Sequence, residues 1–463
     1  MAQLSPYFFW LKPLNRILLE PFWWAFLMLF IFWVPFLRVW WWLFAPLFLA
    51  IELKALYIWW INWDYYYAKT KWHMLEIIPP KEILVPMKAM EDIFTVLWGA
   101  LYNSPSWREA WCEGVMEENS EWMSFEIASI EGQLHFYIRV AAPQKNVVET
   151  ALYSHYPEME IHETTDYTKN VPQNIPNDEW DTYGEDWILT RPPHFPIKTY
   201  EKFFEPQGEK IAAEEKRMDP LASLLELMSR LGPGEQYWMQ FIITSMAPDD
   251  TAWRKAGEKE VNKLAKRPVK QETTIIQELT MVMRHLVMGP EKEGSGEKAT
   301  YEWASLAKSE EGEKELLLTP GERARLLEIE DKLKRPAFRT NMRSVYVAKR
   351  ENFKSSHRLI SRAYFSHFNT QHLNSFLFSK VTRPKTQYVF RKRIPFIRTR
   401  RMFRNYVLRF PPLFPNRKRE MAILDPEELT TVFHFPIKIT GLVLPTMMRV
   451  ESKKSGPPPN LPT

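Results

Sequence analysis

Hydrophobic and polar positions follow different periods along the chain, and the changes divide it. Residues 21–60 read "PFWWAFLMLFIFWVPFLRVWWWLFAPLFLAIELKALYIWW" and carry only Arg38, Glu52 and Lys54 as charges. A helix that crosses a bilayer needs about 20 apolar residues. Residues 22–37 and 39–60 therefore predict a transmembrane hairpin within 17–62, turning near Pro35 with Arg38 at the far interface. One long tilted span is the alternative. Residues 1–16 form a tail before it, and 63–80, opening with "WDYYYAKTKW", a juxtamembrane segment. Lys12 and Arg16 on one side and Lys54, Lys69 and Lys71 on the other favour both ends in the cytoplasm. The expectation is an integral protein of the inner (plasma) membrane with cytoplasmic soluble domains.

Beyond "IIPPKE" the period shortens. "KEILVPM" (81–87) predicts a strand, and "AMEDIFTVLWGALY" (89–102) has apolar residues at helical spacing. "MSFEIASIEG" and "QLHFYIRVA" alternate at period two, with Glu131-Gly132 as a hairpin turn. An amphipathic helix "QKNVVETALYSHY" and a strand "EMEIHET" complete β-α-β-β-α-β over 81–166, the ferredoxin-like split βαβ order. The Pro-, Asn- and Asp-rich stretch 167–192 reads as a linker. The order then repeats over 193–379. Its parts are a strand "FPIKTY" (195–200), a helix from Asp219-Pro220 to Gly232 and a strand "YWMQFIITSM". A Lys- and Glu-rich helical insertion (250–334) precedes the strand "FRTNMRSVYVAKR", a helix "NFKSSHRLISRAYFSHF" and a strand "NSFLFS". Within the insertion, "GPEKEGSGEKATYEW" lacks periodicity and reads as a loop. The expected fold class is α+β: N-terminal transmembrane helices, then two ferredoxin-like units, the second with a large helical insertion.

Charge sharpens the picture more than composition does. The net charge is only +5, yet no Asp or Glu occurs from Asn352 to Arg419, a window holding 17 Lys and Arg. The remaining 44 basic residues face 56 acidic ones, a balance of −12. Such asymmetry points to a polyanionic partner or to internal docking. A single cysteine, Cys112, excludes a disulfide framework within one chain.

No catalytic constellation emerges. "GSGEKAT" (294–300) lacks the Gly-Lys-Ser/Thr of a phosphate-cradling loop, since Glu297 follows Gly296. "HETTD" (162–166) starts like a zinc-protease helix, but Asp166 stands where the second histidine is needed. His357, His367 and His372 share no metal-binding spacing. The chain is expected to be non-enzymatic, with no cofactor and no metal.

The densest basic stretch is "QYVFRKRIPFIRTRRMFRNYVLR" (387–409), within a segment 380–419. Arg391, Lys392, Arg393, Arg398, Arg400, Arg401 and Arg404 alternate with Tyr388, Phe390 and Phe403. Arginine binds phosphate bidentately and stacks on flat rings, so this interleaving suits single-stranded DNA. It equally suits an anionic lipid surface, and packing against the chain's own acids is the third reading. These ten residues are the candidate nucleic-acid or anionic-lipid contacts. Residues 420–463 read as a connector with a helix start at Asp425-Pro426-Glu427-Glu428 and a Pro-rich tail.

Several stretches carry a family resemblance. They are "PPKEILVPMKAMEDIFTVLWG", "SFEIASIEGQLHFYIRV", "VETALYSHYPEMEIHE", "DPLASLLELMSRLGPGEQYWMQFII", "FNTQHLNSF" and "LDPEELTTVFHFP". From about Pro79 to the C-terminus the chain resembles the pre-ATPase region of membrane-anchored coupling proteins of type IV secretion and conjugation. The resemblance implies a component of a DNA-transfer apparatus that scaffolds or presents DNA to a motor ATPase, with that motor and DNA as partners. No ATP-binding motif is present, so no nucleotide site is implied here. A scaffold whose basic segment binds anionic lipid or an acidic protein is the alternative.

Overall fold

A computed structural model describes residues 29–35, 39, 41–42, 46, 70–80, 85–102, 122–203, 219–246, 252–265, 291–293, 300–302, 318–384, 391–409 and 421–436. The expected N-terminal transmembrane helices are corrected: among the described residues no helix is long and apolar enough to cross a membrane. Most of 17–62 lies outside the described residues, as do Cys112 and the Pro-rich tail. The fold is α+β, built on an antiparallel sheet.

The first strand is β1 (Trp72–Ile78). It lies in the segment read as juxtamembrane, ahead of the expected strand 81–87, of which the described residues 85–87 lead into α1 (Lys88–Leu101). Next come β2 (Met123–Ile130), β3 (Gln133–Ala141), α2 (Lys145–His155) and β4 (Glu160–Thr164). The β2–β3 turn places both Glu131 (φ 54) and Gly132 (φ 88) in the left-handed region, the mirror-image turn that matches strand twist. A Cβ on Gly132 would stand 2.8 Å from the carbonyl oxygen of Leu231.

The stretch read as a linker contains β5 (Trp180–Leu189). Its charged centre, Glu185-Asp186, conceals a strand whose carboxylates are each paired inside the fold. "FPIKTY" is not a strand; it leads into a short 3-10 turn, Tyr200–Phe203. Then follow α3 (Pro220–Ser229) and β6 (Glu235–Ser245).

A separate compact unit, Thr251–Lys334, comes next in sequence. It contains α4 (Ala252–Leu264), the short strands β7 (Glu291–Glu293) and β8 (Thr300–Glu302), and α5 (Pro320–Lys334). Within the stretch read as a loop, β7 and β8 pair as a two-stranded antiparallel ladder, Glu291 opposite Glu302. Among the described residues its buried apolar residues are Trp253 and Val261 of α4, Ala265 just after it, and Leu326 and Ile329 of α5.

The main unit resumes with β9 (Phe338–Lys349), α6 (Leu359–Ser366) and β10 (Phe376–Phe378). It ends with α7 (Arg393–Leu408), β11 (Ala422–Leu424) and α8 (Pro426–Val432). Among the described residues, nine of these strands form one sheet in the order β10-β5-β9-β6-β2-β3-β1-β4, with β11 on β9. Each half repeats the split βαβ order, and β2 pairs with β6 from Met123 opposite Ile243 to Ile130 opposite Gln236. The halves are therefore not separate units but one hydrogen-bonded ladder.

Both faces of the central strands are covered, which is why β6 is buried along its whole length. One face holds the larger core, including Ile93, Phe94, Leu225, Met239, Phe241, Tyr364 and Phe433 from α1, α3, β6, α6 and the segment after α8. The other holds Ala128, Tyr167, Ile175, Trp238, Val345, Met402, Phe403 and Tyr406, with α7 as its lid. Gly184 permits this closeness: a Cβ there would lie 2.6 Å from the Met402 Cγ.

Residues 421–436, the described part of the segment read as a connector, are largely buried in the core. Every residue of α8 is buried. Asp425 and Glu428 form a reciprocal capping box, and Glu428 also accepts from the backbone N–H of Ile197 at 2.7 Å. His434, fully buried, contacts the Thr430 carbonyl through Nδ1 (2.9 Å) and Asp219 Oδ1 through Nε2 (2.8 Å). Both partners only accept, so both ring nitrogens donate and the imidazolium is the form that fits. Burial opposes that charge, but Asp219 outweighs it and holds the pKa above 6.5. This contribution to stability is complete below pH 6.5 and falls away as pH rises through the raised value. Denaturant midpoints measured from pH 6 to 9 are expected to fall on the alkaline side, and His434→Gln to lose that slope.

Candidate nucleic-acid interface

Within 393–408, apolar or small residues recur at Thr399, Met402, Phe403 and Tyr406, one stripe of a helix, and these are its buried residues. The stripe seats α7 on β6 and β9, where Trp238 lies 5.4 Å from the Tyr406 ring and 6.2 Å from the Phe403 ring. Pro395 falls in the first turn, where its missing N–H costs nothing.

Beneath the helix a polar row crosses the sheet in strict register. Asp186 on β5 faces Arg343 on β9, Arg343 faces Gln240 on β6, Gln240 faces Glu126 on β2, and Glu126 faces Tyr137 on β3. All five are buried. Arg343 Nε donates to Asp186 Oδ1 (2.9 Å) and its Nη1 to the Asn405 carbonyl (3.1 Å). Gln240 Nε2 donates to Glu126 (3.0 Å) and to the Tyr406 carbonyl (3.2 Å). The row thus adds side-chain donors to the Asn405 and Tyr406 carbonyls at the C-terminal end of α7, which also accept from the Arg409 backbone N–H.

Arg409 ends α7 in the left-handed conformation (φ 54) and turns fully inward. Its guanidinium donates to Glu126 from Nε (2.7 Å) and Nη2 (3.1 Å), and to Asp166 from Nη1 (2.6 Å) and Nη2 (2.9 Å). The Tyr167 hydroxyl also reaches Glu126 at 2.7 Å and Tyr406 at 2.8 Å. Burial pushes the Asp166 carboxyl up, but the Arg409 charge and hydrogen bonds from Arg409 and Thr168 hold it below its ordinary 3.8. Asp166, the residue that broke the zinc-protease pattern, is therefore a structural anchor. The far end of the helix is tied by Arg398, half-buried, which donates to the Arg383 carbonyl (3.2 Å). Arg383 with Arg362 also neutralises buried Glu185, at 3.2 and 2.5 Å.

The acid-free window is thus divided. Arg362, Arg383, Arg398 and Arg409 bond inward, whereas Arg391, Lys392, Arg393, Arg400, Arg401 and Arg404 are exposed and have no ion-pair partner among the described residues. Arg393, Arg400 and Arg404 recur at i, i+7 and i+11, a line of roughly 16 Å at 1.5 Å per residue. Phe396 and Ile397 are 45% and 42% exposed beside it. Phe403 sits beneath the helix, away from this line; Tyr388 and Phe390 lie outside the described residues. The structure brings the cations together and separates them from the aromatic ring expected to work with them.

Glu126, Asp186, Gln240 and Arg343 did not stand out in the sequence. The available signal was polar residues inside each of four strands, which become neighbours only through the register. Among the described residues no group of three or more His, Cys, Asp or Glu could hold a metal ion. His367 instead contacts Ser223 (3.1 Å), and His357 stands 3.7 Å from Glu235. In comparisons with known proteins, no family model and no curated protein matched the chain.

Proposed function

We propose that this chain is a non-catalytic DNA-presenting scaffold that holds nucleic acid by its phosphate backbone on the exposed face of α7. The resemblance to coupling-protein front regions supports a place in a DNA-transfer apparatus beside a motor ATPase. The observation that carries the reading is the line of exposed arginines, without an ion-pair partner among the described residues, on a helix seated from below. Those charges do not serve the helix. Arg391, Lys392 and Arg393 crowd its N-terminus, the positive end of its dipole, where cations are unfavourable by about 0.3–1 kcal/mol each. Arg400 and Arg404 are a like-charged i, i+4 pair, which is also destabilising. A face that works against its own helix is explained by an external polyanion.

The inward turn of Phe403 and Tyr406 removes rings that single-strand stacking would use. Backbone contact remains, and it is indifferent to sequence. Fluorescence anisotropy should therefore show duplex DNA bound at least as tightly as a single strand of equal length, with no preference between unrelated sequences. Anionic vesicles are the control. Vesicle binding with no DNA binding in 50 mM salt, a condition chosen from the range of roughly 50–200 mM over which such contacts weaken, would overturn the proposal.

A further inference from the structure

On the sheet face opposite α7, a small cavity of about 40 Å³ is lined by Tyr183, Tyr346, Phe353, Lys354, Ser355 and Arg358. One water needs roughly 10–15 Å³ by the same measure, so a larger group fits. We propose that this cavity binds a single phosphate group, free or at the end of a small phosphomonoester.

The charges around the cavity leave an excess of cation. Two carboxylates lie close by, both 1% exposed. Glu185 is held by Arg362 and Arg383 and accepts from the Tyr183 hydroxyl at 2.5 Å. Glu235 accepts from the Tyr346 hydroxyl (2.9 Å) and the Gly232 N–H (2.9 Å), with Lys354 Nζ at 3.4 Å. Lys354, Arg358, Arg362 and Arg383 thus supply four positive charges against these two negative ones. The segment 352–358 contains no acid. His357 beside Glu235 has its pKa lowered by burial, so it adds little charge at neutral pH.

The remaining donors point to the ligand. Both tyrosine hydroxyls are committed to carboxylates. Lys354, Ser355 and Arg358 are exposed side chains, and the Arg358 guanidinium and the Ser355 hydroxyl have no hydrogen-bond partner among the described residues. Lys354 retains ammonium protons beyond its contact with Glu235. Guanidinium, ammonium and hydroxyl together match the several acceptor oxygens of a phosphate. The Phe353 ring, 5.1 Å from that of Tyr346, forms an apolar wall that lowers local solvation. The cavity is too small for a strand of nucleic acid to pass through, which separates this site from the α7 face.

Isothermal titration calorimetry on the full chain tests this with inorganic phosphate, thymidine 5′-monophosphate and thymidine, in chloride buffer. Saturable binding of phosphate is expected, with no binding of thymidine. Arg358→Gln should weaken binding about tenfold or more, as loss of a charged hydrogen bond does, and Ser355→Ala should weaken it less. The double variant Arg400→Gln/Arg404→Gln on α7 should leave it unchanged. Monophosphate binding as tightly as inorganic phosphate or tighter identifies a phosphomonoester ligand; inorganic phosphate alone identifies the free ion. Absence of saturable binding, affinity retained in Arg358→Gln, or loss in the α7 variant would overturn the proposal.

Discussion

Replacing Arg409 with methionine should lower folding stability by about 3–5 kcal/mol, the range for removing one partner of a buried ion pair. The side chain is fully buried and makes four bonds of 2.6–3.1 Å to Glu126 and Asp166. Methionine fills much of the space but leaves two carboxylates without their cation. Urea denaturation of the full chain should show the loss as a lower midpoint. Converting Glu126 and Asp166 to Gln and Asn in the same protein should restore part of it, because the cost lies in the stranded charge. Acid gives an independent reading. Asp166 has a depressed pKa in the fold, so its contribution is present above its unfolded value near 3.8 and is lost as pH falls through the folded value. Wild-type stability should drop steeply below about pH 4, whereas the Arg409→Met protein should show a flatter acid limb. A loss under about 1 kcal/mol in the single variant would mean that this ion pair does not anchor the helix.

The second large effect is expected at the C-terminal end of the described chain. Phe433 follows α8 and packs its ring edge-on against Phe125 (5.1 Å), Phe241 (5.8 Å) and Phe136 (6.3 Å), rings from three adjacent strands. Phe433→Ala should cost about 3–5 kcal/mol, as buried Phe→Ala changes do. Ending the chain after residue 420 removes β11, α8, His434 and Phe435 as well, and should leave no cooperative unfolding transition by circular dichroism. A truncated chain that still melts cooperatively would show that the larger core closes without its last segment.

How legible these features were depends on where each interaction is made. Strands β2 and β3 and helices α1 and α3 follow from local signals: alternation, a Glu-Gly turn, apolar spacing, and an Asp-Pro start. Strand β5 is hidden because its central Glu185-Asp186 looks like loop, and Arg343, Arg362 and Arg383, at least 157 residues away in sequence, make those charges tolerable inside a sheet. The transmembrane helices came from apolar runs read without their partners, and most of the strand expected at 81–87 lies outside the described residues. The connector reading of 420–463 took the well-capped helix at its start for a peripheral one, since capping chemistry says where a helix starts but nothing about burial. At the candidate interface the density of arginine was visible at once. Its division into inward-bonded and outward cations was not, because helical phase decides it: Phe403 and Arg404 are neighbours in sequence, yet one is buried and the other exposed.

The salt dependence of DNA binding tests most directly whether the outward arginines of α7 form the contact surface. Each phosphate neutralised on a duplex contributes about 0.9 to the slope of log affinity against log salt. Replacing Arg393, Arg400 and Arg404 together with Gln removes three exposed charges, each without an ion-pair partner among the described residues. The predicted result is a slope shallower by roughly 2 to 3, with the urea midpoint unchanged or slightly raised as like-charge repulsion is relieved. An unchanged slope in a protein of unchanged stability would contradict the account.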